Sequence, residues 1–134
     1  MTPPYLRGQL LLALAAVLAA ALLAGCTGVD DLTHPTVVSA VVEDAGDGTF
    51  TVAATISSPY DSRDRFADAF RVSTPDGEVL GVRELAHPHA DEQPFTRSLV
   101  GLEIPDDVDE VVVEGRDSVN GWGGTAATVP VRRG

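Results

Sequence analysis

Two of the three histidines stand one residue apart in the stretch LAHPHADEQPF, residues 85–95, with Asp91 and Glu92 directly downstream. Pro88 between them biases His87 towards extended backbone, where residues i and i+2 project to the same side. Both imidazoles can then address one ion. Glu92 or Asp91 would add an oxygen, and His34 would approach from the N-terminal side. Two imidazoles and a carboxylate suit Zn²⁺, Ni²⁺ or Cu²⁺; Cu⁺ would want sulfur, and the chain holds only Met1 and Cys26. Ahead of that metal reading stands a plainer one. Pro88 and Pro94 cannot donate to a strand ladder, so the stretch reads first as a polar connection between two strands, with no cofactor. Arg97, on the strand that follows, then pairs with Glu92 or Asp91 and fixes the loop.

Trp122 and Arg97 are the other candidate binding residues. Trp122 is the only tryptophan, set among glycines in DSVNGWGG, residues 117–124. It reads as a cap over one end of the core or as an exposed anchor for a partner, since aromatic side chains dominate interface hot spots. Asp106, Asp107, Asp109 and Glu110 lack the glycine and terminal glutamate of a calcium loop and read as a solvated turn. The chain has no nucleophile elbow, P-loop or Rossmann glycine pattern, so no enzyme is expected.

The N-terminus says where such a domain works. Residues 1–9 carry Arg7 and no acid, and residues 10–24 run LLLALAAVLAAALLA without interruption. Fifteen apolar residues fall short of the roughly 20 that a membrane span needs, but have the length of a signal-peptide h-region. Leu23-Ala24-Gly25-Cys26 closes the run and resembles the lipobox of bacterial lipoproteins at all four positions. The resemblance implies a diacylglyceryl group on the Cys26 thiol and cleavage before Cys26. It also implies an exported chain held by lipid to the bacterial cell membrane or outer membrane. Thr27 is not the aspartate that such lipoproteins use for retention at the inner membrane, so in a two-membrane cell the outer one is expected. Cys26 is the only cysteine, and two or more acyl chains would hold it stably where one would not.

All 20 acidic residues and eight of the nine arginines follow Cys26, and lysine is absent. Such acidity excludes nucleic acid as a partner, because phosphates demand a basic patch. It also discourages contact with anionic head groups, and a salt-adapted source would produce the same charge.

The expected organisation is a signal peptide at 1–25, a lipidated cysteine and polar tether at 26–35, and a domain at 36–134. In that domain short β-rich runs alternate with turn signals. Residues 49–57, TFTVAATIS, alternate cleanly, with Phe50, Val52, Ala54 and Ile56 to one side. Further strands are expected at 36–42, 66–74, 78–85, 95–104, 108–115 and 125–131. Asp47-Gly48 and Thr74-Pro75-Asp76-Gly77 mark turns. In the run 95–104, Val100, Leu102 and Ile104 are expected to face the core, with a bulge near Gly101 explaining Leu99. Pro130 places its strand at an edge or ends it. Seven such strands make an all-β, antiparallel Greek-key sandwich.

The order of strands resembles Ig-like domains of the fibronectin type III or bacterial variety, which lack the cysteine pair. The segments HPHADEQPFTRSL and DSVNGWGG together resemble a group of small exported bacterial proteins with no known activity. The expectation is a noncatalytic envelope lipoprotein that binds a protein partner or positions a complex. The alternative is a divalent-metal binder using His87 and His89.

Overall fold

The computed structural model describes residues 33–134. The expected signal peptide, Cys26 and most of the expected tether lie outside the described residues. Seven strands follow: β1 (Thr36–Asp44), β2 (Phe50–Ser57), β3 (Ala67–Ser73), β4 (Val79–Glu84), β5 (Phe95–Leu102), β6 (Glu110–Asp117) and β7 (Gly121–Pro130). They pair into two antiparallel sheets, β1-β2-β5 and β4-β3-β6-β7. The antiparallel sandwich expected from the sequence is the fold observed, with no helix among the described residues. The connections β2–β3, β4–β5 and β5–β6 each cross from one sheet to the other. Placing β4 beside β3 departs from the constant-type immunoglobulin division, in which the fourth strand joins the fifth.

Alternation builds the core. Phe50, Val52, Ala54 and Ile56 of β2 point inward and are buried. They meet Phe70 and Val72 of β3 and Val111 and Val113 of β6 in one apolar cluster. On β5 the expectation needs correcting. Opposite Phe50 and Val52 stand Leu102 and Leu99, so β5 carries an extra residue there. Gly101, at φ 74°, absorbs the kink, as expected of a bulge. The bulge shifts the phase by one, turning Leu99 towards the core and leaving Val100 74% exposed rather than buried.

A second correction concerns residues 117–124. Only 118–120 form the turn, and Gly121 to Gly124 already belong to β7, where Trp122 pairs with Arg116. Gly123 and Gly124 serve close approach rather than looseness. Thr33–Pro35, read from the sequence as the end of the tether, pack across β6 and β7. A Cβ on Gly115 would sit 2.5 Å from Pro35 Cγ, and one on Gly123 would sit 2.7 Å from the His34 ring. At Gly124, with φ 82°, a Cβ would run into the Pro35 carbonyl oxygen. Glycine inside a strand commonly marks another backbone lying this close.

This strap is fastened by hydrogen bonds. The Thr33 carbonyl accepts from Arg65 Nη2 and Asn120 Nδ2, both at 3.0 Å. Arg65 also pairs with Asp117, whose side chain is wholly buried. The Asp117 carboxylate further accepts the backbone N–H groups of Val119 and Asn120 at 3.0 and 2.8 Å, closing the β6–β7 turn. Burial alone would raise the Asp117 carboxyl, yet these N–H donors, the Tyr60 hydroxyl beside it and Arg65 together hold it below the usual carboxylate value. The strap, the β2–β3 connection, the 85–94 connection and the β6–β7 turn therefore gather at one end of the sandwich.

Candidate functional site

The 85–94 connection is a braced structure. Asp61, nearly buried in the β2–β3 connection, accepts from His89 N at 2.9 Å with one oxygen and from Ala67 N at 3.0 Å with the other. Gln93, just before β5, reaches Ser58, just after β2, through its side chain. Its Oε1 accepts from Ser58 N at 2.7 Å, and its Nε2 donates to the His89 carbonyl at 2.9 Å. The Gln93-Pro94 peptide bond is cis. A carboxylate that accepts twice and a carboxamide with three hydrogen bonds, the third from Nε2 to Ser58 Oγ at 3.3 Å, thus set the backbone that presents the histidines. Sequence reasoning passed over Asp61, Gln93 and Ser58, because nothing local marks a polar side chain that will be buried.

The structure brings the two imidazoles together. The His87 and His89 rings lie 4.6 Å apart between centroids, tilted by 39°. His87 is exposed, and its Nδ1 lies 3.1 Å from the Pro88 carbonyl oxygen. His89 is only 5% exposed and stacks on Phe95 at 4.0 Å, with the planes 12° apart. Its Nδ1 is buried without a hydrogen-bond partner. Burial, helped by Arg97 and His87, holds the His89 pKa below its ordinary value. Neutral His89 is thus favoured in the folded chain. Beside the rings opens a shallow hollow of about 450 Å³, lined by Ser62, Arg63 and residues 87–92.

The other expected ligands go elsewhere. Glu92 is gripped by Arg97 through both oxygens, at 3.0 and 3.3 Å. The Arg97 hydrogen bond holds its pKa below the usual carboxylate value. This is the loop-fixing pair that the sequence anticipates for Arg97. His34 packs against Gly123 in the strap. Among the described residues, no group of three or more His, Cys, Asp or Glu side chains is placed to hold a metal ion. What the arrangement presents is an imidazole pair, with Asp91 on the same wall.

Trp122 is held rather than presented. It lies on the outer face of the four-stranded sheet, with the Arg71 guanidinium 4.3 Å and the Arg116 guanidinium 5.1 Å from its ring. Glu114 fixes Arg71 at 2.6 Å, and Asp68 and Glu84 fix Arg116 at 2.7 and 2.8 Å. That use absorbs the side chain into the sheet and leaves neither the end cap nor the free anchor. At partly exposed sites each such stack is worth about 0.5–1 kcal/mol. Trp122→Ala should therefore cost about 1–2 kcal/mol, read from urea midpoints at an unchanged m-value; a loss within experimental error would mean the stack carries no energy.

The opposite outer face differs in kind. Ser39 and Val41 of β1, Thr51, Ala53 and Thr55 of β2, and Thr96 and Ser98 of β5 present a surface of small uncharged side chains, with the carboxylates Glu43 and Asp44 at the end of β1 and Glu103 just beyond β5. Val41 is 54% exposed there, and Val100 stands proud of the bulge. In a chain with a formal net charge of −11, the middle of this face carries no charged side chain.

Comparison with known proteins adds one relative. A Halomicrobium mukohataei protein is 38% identical over 104 residues, which cover 78% of this chain and 51% of that protein. Its name is "Putative lipoprotein". The present chain thus spans about half the length of the curated relative it matches. No family model matches the chain, and no solved structure does.

Proposed function

We propose that this chain is a noncatalytic envelope lipoprotein, tethered through lipid on Cys26, whose sandwich domain docks on a protein partner through the outer face of the β1-β2-β5 sheet. The tether is supported by the lipobox-like Leu23-Ala24-Gly25-Cys26 and by the name of the relative. The docking is carried by the contrast between the faces: ion pairs cover the four-stranded side, whereas Val41 and Val100 stand in an uncharged field on the other. An acidic domain repels acidic surfaces, so a partner that meets it closely does so where carboxylates are missing. The partner is a protein with an uncharged patch of its own.

Growth with a labelled fatty acid tests the tether. The chain should carry label and partition with membranes, whereas Cys26→Ser should be unlabelled and remain uncleaved; label on the serine variant would remove the assignment. For the docking face, a photo-cross-linking residue at Val41 should give one adduct of discrete mass, containing one identifiable protein. The same probe at Val82, on the other sheet, should give none. Equal adducts from both positions, or none from Val41, would sink the docking reading.

The charge also sets a salt response. Twenty acids against nine arginines repel one another, and added salt screens this more than it weakens the few ion pairs. The melting temperature should rise steadily with added NaCl across the first molar of salt. A fall would show that the ion pairs outweigh the general repulsion.

A further inference from the structure

We infer that His87 and His89 form a two-imidazole clamp for a divalent borderline cation, Cu²⁺ most tightly, in the hollow they share with Asp91. Three independent observations meet there. The rings already lie 4.6 Å apart between centroids, so a modest turn of exposed His87 brings a nitrogen of each ring towards one point. His87 Nδ1 is occupied by the Pro88 carbonyl, which leaves its Nε2 lone pair free; ligating histidines characteristically engage the other ring nitrogen in this way. His89 cannot swing away, because its ring is stacked on Phe95 and its backbone is held by Asp61 and Gln93. One ligand is thus fixed and one adjustable.

The remaining coordination positions belong to water and to Asp91, which lines the same hollow. Glu92 takes no part while Arg97 holds it. The chain's negative field raises the local concentration of any cation. Cu²⁺ tops the stability order for nitrogen and oxygen donors and accepts a tetragonal set completed by water. Zn²⁺ and Ni²⁺ follow in weaker order. The unpartnered Nδ1 of His89 leaves its outer support unfilled, which keeps the affinity modest. The site therefore fits loading or passing on a cation better than storing one. This inference stands apart from the docking reading and survives its failure.

The test is a calorimetric titration of the full chain, kept in mild detergent, with CuCl₂, followed by electron paramagnetic resonance of the one-to-one complex. The expected result is one site, with hyperfine coupling from two imidazole nitrogens. His87→Ala should weaken binding by at least about tenfold and reduce the coupling to one nitrogen. Because His87 is exposed, that variant keeps the fold. His34→Ala should change nothing. Equal affinity in the His87 variant, a spectrum from oxygen donors alone, or loss of binding in the His34 variant would each overturn the assignment. So would no binding at all.

Discussion

Asp117→Ala should remove about 3–5 kcal/mol of stability, the largest loss expected from any single polar side chain here. Asp117 is 1% exposed and its carboxylate takes three N–H donors: the Arg65 Nε–H, shared between both oxygens at 3.2 Å, and the backbone N–H groups of Val119 and Asn120. Its removal leaves the Arg65 guanidinium, 30% exposed, without its partner and strands the Val119 and Asn120 N–H groups, each buried donor so left costing about 1–3 kcal/mol. Here it also opens the β6–β7 turn and loosens the Arg65 and Asn120 bonds that hold Thr33. For a domain of ordinary total stability, about 5–15 kcal/mol, the loss approaches unfolding at body temperature. Urea unfolding at constant m-value measures it, and a loss below about 1 kcal/mol would mean water replaces the carboxylate freely.

The same residue sets an acid limit. Its folded pKa is depressed, so its contribution is complete above the unfolded carboxylate value near 4 and is lost as pH falls through the lower folded value. Stability measured from pH 6 downwards should therefore fall below about pH 4, and the Asp117→Ala variant should lose that part of the slope.

Phe95→Ala is the second large effect, and it joins core to site. Phe95 is 1% exposed, pairs with Ile56 across the ladder and carries the His89 ring on its face. Truncating a buried phenylalanine costs about 3–5 kcal/mol through lost transfer energy and the cavity left behind. Unlike Phe70→Ala, which should cost about as much for the same reason, it also frees His89. Wild-type His89 has a depressed folded pKa, so the unfolded chain binds its proton more readily. Its contribution is whole above the unfolded value near 6.5 and is lost as pH falls below it. In Phe95→Ala the nuclear magnetic resonance titration of His89 should move up towards an ordinary histidine, whereas in Phe70→Ala it should stay. Identical His89 titrations in both variants would show that the stack does not set its environment.

Much of this was legible in the residues. The period of two in TFTVAATIS fixed the inner face of β2, and Pro130 correctly marked β7 as an edge, where it pairs at the end of the ladder. The bulge at Gly101 was visible as a break in phase, but its direction was not. Which neighbour turns inward depends on the register with β2, a long-range property. GWGG looked like a loop because glycine is flexible in isolation; only the strap pressing on β7 shows that small size was the requirement. His87 and His89 announced themselves by spacing, and Arg97 with Glu92 by charge. The stack on Phe95, the brace from Asp61 and the diversion of His34 to Gly123 arise from tertiary contacts that no local pattern encodes.

The docked strap also has a mechanical meaning. β1 has a hydrogen-bonded neighbour on one side only, and a tug on a bare end of such a strand would peel it from β2 one bond at a time, at low force. Any pull arriving from the N-terminal side first meets Thr33, bolted to Arg65 and Asn120, and then Pro35, wedged over Gly115 and Gly124. The load passes into β6 and β7 before it reaches β1, as a cable clamp spares the solder joint. Stretched singly from its N-terminus, the domain should therefore yield at a higher force than a Gly115→Val variant whose clamp has been pushed open.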